Sequence, residues 1–251
     1  LNGGFEFLSI WHKILIRFQM KLSGVAHSMH ESRCTKVNHI KDRKMLYLIF
    51  KRCMDFFLAL IGLIVLSPVF VILMLLIKID SKGPIFFKQL RVGKNKTHFY
   101  ILKFRTMRVD APKDTPTHLL KNPEQYITRV GRFLRKTSLD ELPQLWNILM
   151  GEMSIIGPRP ALWNQYDLIA ERDKYGANDI LPGLTGWAQI NGRDELPIEI
   201  KARLDGEYVM KMGFLMDLKC FFYTIIKVLK SEGVVEGGVR KANEAEKYTN
   251  Y

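Results

Sequence analysis

Cysteine is scarce in this 251-residue chain, with only Cys34, Cys53 and Cys220, far apart in sequence. An odd, dispersed set builds neither a disulfide framework nor a Cys-x-x-Cys metal site, and it fits a reducing compartment. The six histidines show no ligand spacing, which argues against zinc. Internal repeats and low-complexity tracts are missing. So are helix-turn-helix, RNA-recognition and zinc-finger signatures, and the basic residues cluster around acids rather than forming a stripe with stacking aromatics. Nucleic acid is therefore not the expected partner. The most informative absence is charge between Phe56 and Ile77.

Elsewhere charge is plentiful: 38 Lys and Arg against 25 Asp and Glu, a net charge of +13, in a chain that is 47% hydrophobic. That excess asks for an anionic partner, and acidic lipid or a phosphorylated substrate both qualify. The uncharged stretch FFLALIGLIVLSPVFVILMLLI, as one straight helix, would rise about 33 Å, the thickness of a bilayer core. Pro68 within it removes a helical hydrogen bond and predicts a kink, and the Ser67 hydroxyl can return to a carbonyl three or four residues earlier. Both flanks are basic: Lys41, Arg43, Lys44, Lys51 and Arg52 before, Lys78, Lys82, Lys88 and Arg91 after. Positive charge marks the cytoplasmic side, so equal flanks give no orientation for a spanning helix, and two ends on one face, a re-entrant hairpin, would resolve the conflict. A kinked spanning helix is the alternative. Asp55 beside such a segment needs a partner, and Arg52 one helical turn earlier is the candidate.

Beyond the apolar run, Pro84 to Met107 reads as strand, turn, strand around Gly93-Lys94-Asn95-Lys96. Residues 108–125 read as a loop. A helix is expected over Tyr126 to Arg135, then a second through Asn147 and Leu149, ended by Gly151. Residues 154–160 and 181–193 are rich in Gly and Pro and predict ordered loops or short strands. From Phe214 to Leu229 apolar residues recur at helical spacing with Lys219, Lys227 and Lys230 between them. That pattern describes either a core helix or an interfacial helix on anionic lipid.

Asp140 and Glu141 stand in KTSLDELPQLWN. Ser138 with Glu141 three residues on reads as a capping box, a purely structural role. The surroundings suggest chemistry instead. Arg129, Arg132, Arg135 and Lys136 precede the acids, Arg159 follows, and Lys103 and Arg105 lie in the second strand of the hairpin. A diphosphate substrate with Mg²⁺ needs such an inventory: a carboxylate for the metal, cations for phosphate oxygens, and a nucleophile. Spacing alone does not divide the roles between the two acids.

Six elements occur in one order: Lys51-Arg52; Ser67-Pro68; Lys103-Phe104-Arg105-Thr106-Met107; Ser138-Leu139-Asp140-Glu141-Leu142; Gly157-Pro158-Arg159-Pro160; and Pro182-Gly183-Leu184-Thr185-Gly186-Trp187-Ala188-Gln189. Together, over about Met45 to Val235, they resemble the bacterial sugar transferases known as monotopic phosphoglycosyl transferases, or undecaprenyl-phosphate sugar phosphotransferases. The resemblance implies a re-entrant helix broken at Ser67-Pro68. It implies that Asp140 attacks the β-phosphorus of a UDP-sugar to release UMP, and that polyprenyl phosphate then takes the sugar phosphate. Glu141 matches the second acid and helps hold Mg²⁺ with Asp140. Arg159 matches a nucleotide-associated element, and Lys103, Arg105 and Arg135 match phosphate-binding positions. Gln189 and Arg193 match recurrent positions placed with the substrate, and Asp205 is a further metal candidate. Leu181 departs from the Arg or Lys that many relatives carry before the Pro-Gly.

The expected architecture is α/β but mostly helical. A leader of uncertain status spans 1–44, with Met45 a candidate start, and a re-entrant membrane hairpin spans 45–80. A catalytic domain with a short β-hairpin and amphipathic interfacial helices follows over 81–235, then a tail over 236–251. The resemblance places it on the bacterial inner membrane with the catalytic domain cytoplasmic, at the first membrane step of capsule, exopolysaccharide, lipopolysaccharide or glycoconjugate synthesis. The rival reading is a non-enzymatic basic binding module on a spanning anchor.

Overall fold

The computed structural model describes residues 35–112, 122–192 and 196–229, with side chains from residue 45 to residue 228. The apolar run forms two helices, α1 (Thr35–Val65) and α2 (Ser67–Asp80), with Leu66 between them. Proline at 68 has no N–H for the carbonyl of Ile64, four residues back. The Ser67 hydroxyl donates to that carbonyl instead, at 2.7 Å, as its position predicts. The arms Met45–Val65 and Ser67–Asp80 are bent by 62°. Among the described residues no single helix is long and apolar enough to cross a membrane, whereas the bent pair meets the test together. Phe57, Ile61, Ile64 and Val65 on one arm and Val71, Ile72, Leu75 and Ile79 on the other are exposed.

Both bases of this hairpin are bonded to the same globular body. At the first, Arg52 donates to the carbonyls of Ile148 (2.7 Å) and Leu149 (3.0 Å), Asp55 accepts from the Ile155 amide at 3.0 Å, and Lys51 pairs with Asp217. At the second, Asp80 accepts from the Val130 amide at 3.0 Å. Arg52 is thus the charge partner expected for Asp55 but not a hydrogen-bonded one. Its guanidinium closes carbonyls at a helix end, and a backbone amide serves the carboxylate.

Strands β1 (Phe86–Val92) and β2 (His98–Phe104) pair antiparallel, Phe86 opposite Phe104 and Val92 opposite His98. The turn between them carries Asn95 and Lys96 at positive φ. On the inner face Phe99 and Ile101 pack with Ala59, Ile148, Leu149 and Met153, while Phe104 packs with Leu73, Ile77 and Leu134. The sheet therefore rests on both arms of the hairpin.

Helix α3 (Arg129–Thr137) starts at Thr128, whose hydroxyl accepts from the Gly131 amide at 3.0 Å. Glycine is required at 131, because a Cβ there would lie 2.0 Å from the Thr106 carbonyl oxygen. Short helix α4 (Gln144–Leu149) leads to β3 (Ser154–Ile156), which pairs parallel with β4 (Gly183–Thr185). Here too backbones nearly touch: a Cβ on Gly183 would lie 2.1 Å from the Gly157 nitrogen. The Gly-Pro motifs at 157 and 182 are first of all the seam between these strands.

Helices α5 (Tyr166–Asp173), α6 (Trp187–Asn191), α7 (Ile198–Lys211) and α8 (Phe214–Leu229) complete the described chain. Within 181–193 the expectation of loops or strands holds for β4 and fails for α6, where Gly186 ends the strand and Trp187 opens a helical turn. Helix α8 exposes Phe214, Leu215, Phe221, Phe222, Ile225 and Ile226 and buries Cys220. Asp217 fastens it to the rest, accepting from Tyr47 (2.6 Å) and Tyr208 (2.7 Å) besides its pair with Lys51. The described residues are mostly helical with two small two-stranded sheets, the helix-rich α/β character expected.

Candidate active site

The capping-box reading of Ser138 and Glu141 does not survive. Ser138 lies in the left-handed region (φ 58°) as the C-cap of α3 and makes no side-chain cap. Pro143 sets the next helix to start at Gln144, so Leu139–Glu141 is left as a single 3₁₀ turn. A turn rather than a helix therefore presents the acids. Asp140 and Glu141 share a cavity of about 410 Å³ with Lys103, Arg135, Arg159 and Gln189. Arg91, Arg172 and Lys201 also line it, giving six basic side chains against two acids.

The two carboxylates are treated differently. Glu141 accepts from Lys103 and Arg159, both at 2.7 Å and both on Oε1, while Oε2 has only a long contact to Arg159 at 3.5 Å. Burial opposes its charged form, but the charges of Arg159 and Lys103 outweigh burial and hold Glu141 well below the ordinary carboxylate range. Asp140 is 8% exposed and accepts no hydrogen bond from any described residue; Lys103 Nζ is 4.0 Å away. Burial pushes its proton affinity up, Lys103 counters, and the neighbouring Glu141 charge adds to the rise. One acid is a fixed anion and the other an under-coordinated one.

Two of the residues lining the cavity also carry buried polar atoms that are not paired. Arg135 Nε and Gln189 Oε1 are buried without a hydrogen-bond partner among the described residues, though Gln189 Nε2 donates to the Leu184 carbonyl at 3.1 Å. The far wall is apolar, made by Leu142, Leu145 and Leu184 with Phe221, Ile225 and Val228 of α8.

Two sequence candidates lie elsewhere, and a third is outside the described residues. Arg105 does not line the cavity. It is 5% exposed, with its donors on the carbonyls of Ile77, Ser81 and Lys82 and on the Ser81 hydroxyl, where it closes the C-terminal end of α2. A strand alternates its side chains, so Lys103 and Arg105 ought to share a face, but β2 ends at Phe104 and releases Arg105 from that pattern. Asp205 is not with the acid pair either: Arg172 binds it through Nε at 2.8 Å and through a second nitrogen at 2.6 Å. Arg193 lies outside the described residues. Conversely, sequence reasoning did not single out Arg172, Lys201 or Gln165 as cavity residues, and took Arg91 only as flanking charge. Arg91 alternating on β1 with Gln89 was the available signal.

Among the described residues no group of three or more His, Cys, Asp and Glu surrounds a metal position. Mg²⁺ typically needs only one or two carboxylates when substrate phosphates and water complete its shell. Asp140, without a hydrogen bond among the described residues, and the sparsely used Oε2 of Glu141 fit that requirement.

An acid pair thus sits in a cation-lined cavity with apolar residues in its wall, on a body that carries a bent apolar hairpin. The chain belongs to the bacterial sugar transferase family, whose sequence profile matches residues 46–231. It is 40% identical over 187 residues to the uncharacterized sugar transferase EpsL of Bacillus subtilis, covering 74% of this chain and 91% of that protein. It is 39% identical over 199 residues to the exopolysaccharide production protein ExoY of Sinorhizobium fredii, covering 74% and 88%. To the UDP-glucose:undecaprenyl-phosphate glucose-1-phosphate transferase of Escherichia coli it is 40% identical over 187 residues, 71% of this chain and 40% of that longer protein.

Proposed function

We propose that this protein transfers a sugar-1-phosphate from a UDP-sugar to polyprenyl phosphate, releasing UMP, through a covalent intermediate on Asp140. The observation that carries the reading is the asymmetry of the acid pair: Glu141 is held as an anion by Arg159 and Lys103, while Asp140 lines the cavity without a hydrogen bond from any described residue. An oxygen with free lone pairs in a cationic cavity is suited to attack a phosphorus that bears negative charge.

In the first half-reaction an Asp140 oxygen bonds to the β-phosphorus. The bond from that phosphorus to the bridging oxygen breaks, and UMP leaves with the electron pair. Arg159, Lys103 and Arg135 stabilise the equatorial and leaving oxygens. In the second, an oxygen of polyprenyl phosphate attacks the same phosphorus and displaces the Asp140 carboxylate, giving polyprenyl-diphosphate-sugar. Mg²⁺ held by Asp140 and Glu141 would neutralise charge on the diphosphate. Glucose is the first sugar to test, since relatives from three species carry UDP-glucose:undecaprenyl-phosphate glucose-1-phosphate transferase as their name.

The hairpin is read as re-entrant because both its bases bond to one body, which cannot stand on two sides of a membrane. About 16 Å of apolar helix lies on each side of Leu66. With the arms splayed evenly at the 62° bend, the apex reaches roughly 8 Å, about half of one leaflet's hydrocarbon. The exposed apolar face of α8 adds a second contact with lipid, and the apolar cavity wall then opens towards the depth at which a lipid phosphate lies. The site would work on the cytoplasmic face of the bacterial inner membrane, on surface polysaccharide or glycoconjugate precursors.

The test mixes purified protein, Mg²⁺, undecaprenyl phosphate and a panel of UDP-sugars and measures UMP. Release from at least one sugar is expected; no release from any overturns the proposal. Tags at residue 40 and residue 250 should report the same side of the membrane, and opposite sides would favour a spanning anchor.

A further inference from the structure

Arg159 is flanked by Pro158 and Pro160, neither of which has an amide hydrogen. This segment can be tied down mainly through its carbonyls, and four successive ones are occupied. Pro158 O accepts from the Gly183 amide at 2.8 Å and Ala161 O from the Val92 amide at 2.9 Å. Between them, Arg159 O accepts from Arg172 at 2.9 Å and Pro160 O from Arg91 at 3.0 Å. Each guanidinium is itself held: Arg172 by Asp205, and Arg91 by Gln89 Oε1 at 2.6 Å.

The Arg172–Asp205 pair is the more telling. Arg172 is 3% and Asp205 1% exposed, so both are desolvated, and fold stability gives little reason to keep such a pair over apolar side chains. Nε and one terminal nitrogen of Arg172 go to Asp205, and the other terminal nitrogen goes to Arg159 O. A guanidinium spent in this way has little left for substrate. What it reaches is the backbone of the residue whose side chain holds Glu141.

We propose that Asp205 and Arg172 are positioning residues that fix the backbone of Arg159, so that its guanidinium meets both Glu141 and the substrate diphosphate. The inference rests on the transfer reading for its substrate, but its geometry does not depend on turnover. Asp205, expected from sequence as a metal candidate, acts two residues removed from the chemistry.

The experiment compares wild type with the double variant Asp205→Leu/Arg172→Met in detergent or nanodiscs. Removing both charges together avoids leaving one buried alone, so the ligand-free melting temperature should stay near wild type. Two readouts follow: the melting shift produced by UDP, and kcat/KM for the UDP-sugar. The double variant should lose most of the UDP shift and about tenfold to a hundredfold in kcat/KM. Arg172→Lys, which keeps charge opposite Asp205 but cannot reach Asp205 and Arg159 O together, should show the same losses, and it serves alone should the double variant fail to fold. A wild-type UDP response in either variant overturns the inference. A wild-type protein that UDP stabilises but that releases no UMP fails the transfer reading alone, and one that UDP does not stabilise overturns both.

Discussion

Two clusters in this protein are built from the same parts and do opposite things. Around Asp217, one carboxylate takes Lys51, Tyr47 and Tyr208 and closes upon itself, locking α8 to the first arm of the hairpin and to α7. Around Glu141, one carboxylate takes Lys103 and Arg159, but a second acid stands beside it and the group opens onto a cavity. The first cluster is satisfied and so holds elements together. The second is satisfied on one acid only, and the lone pairs of Asp140 that no described residue engages are what the proposed chemistry would use. A buried charge pair is thus not a sign of function by itself. Function lies in what the pairing leaves over.

Substitutions can sharpen or break that contrast. The largest expected effect is from Asp140→Asn, which should reduce UMP release about a thousandfold or more because an amide is no nucleophile. The same change should raise the melting temperature of the substrate-free protein. The proton affinity of Asp140 is raised by burial, so its contribution to stability is complete below the ordinary carboxylate range and lost as pH rises through its folded value. The thermal advantage of the Asn variant should therefore grow with pH.

Glu141→Gln should come next, with a turnover loss of about a hundredfold and a stability loss of about 1.5–3 kcal/mol from weakened charged hydrogen bonds. Here the sign reverses. The proton affinity of Glu141 is depressed, so its contribution is present above the ordinary range and lost only as pH falls to the depressed value. Melting curves from pH 4 to pH 8 should keep the wild type above this variant throughout. Asp217→Asn, by contrast, should cost about 3 kcal/mol of stability with turnover per folded molecule nearly unchanged; a large fall in kcat would place the clamp in the chemistry. Arg105→Met should have the smallest effect, about 1–3 kcal/mol from the end of α2, with KM for the UDP-sugar unmoved. A tenfold rise in KM would return Arg105 to the phosphate site.

Local signals carried much of the fold. Ser67-Pro68 announced the break and which oxygen would heal it, and Gly93 to Lys96 announced the hairpin turn. The helical spacing from Phe214 to Leu229 announced a helix but left open whether its apolar face packs inward or lies outward. Asp140, Glu141, Lys103 and Arg159 were legible as a group because an acid pair among cations is unusual whatever its spacing. What escaped depended on distance in sequence. Arg105 and Lys103 look alike in the motif, and only the end of β2 turns one to the helix terminus and the other to the site. Arg172 and Asp205 carry no mutual signal across 33 positions. The cap read at Ser138 failed because Pro143, five residues on, sets the helix to start at Gln144. Arg52 was matched to Asp55 by helical spacing and does act on it through charge, but its hydrogen bonds go to the distant carbonyls of Ile148 and Leu149.

The account stands most directly on the bond between Asp140 and phosphorus. Wild-type protein incubated with a UDP-sugar labelled in its β-phosphate, without polyprenyl phosphate, should retain label after denaturation, and peptide mapping should place it on Asp140. Subsequent addition of polyprenyl phosphate to undenatured labelled protein should discharge it into lipid. Label on any other residue, or a fully active enzyme that never becomes labelled, would contradict the mechanism.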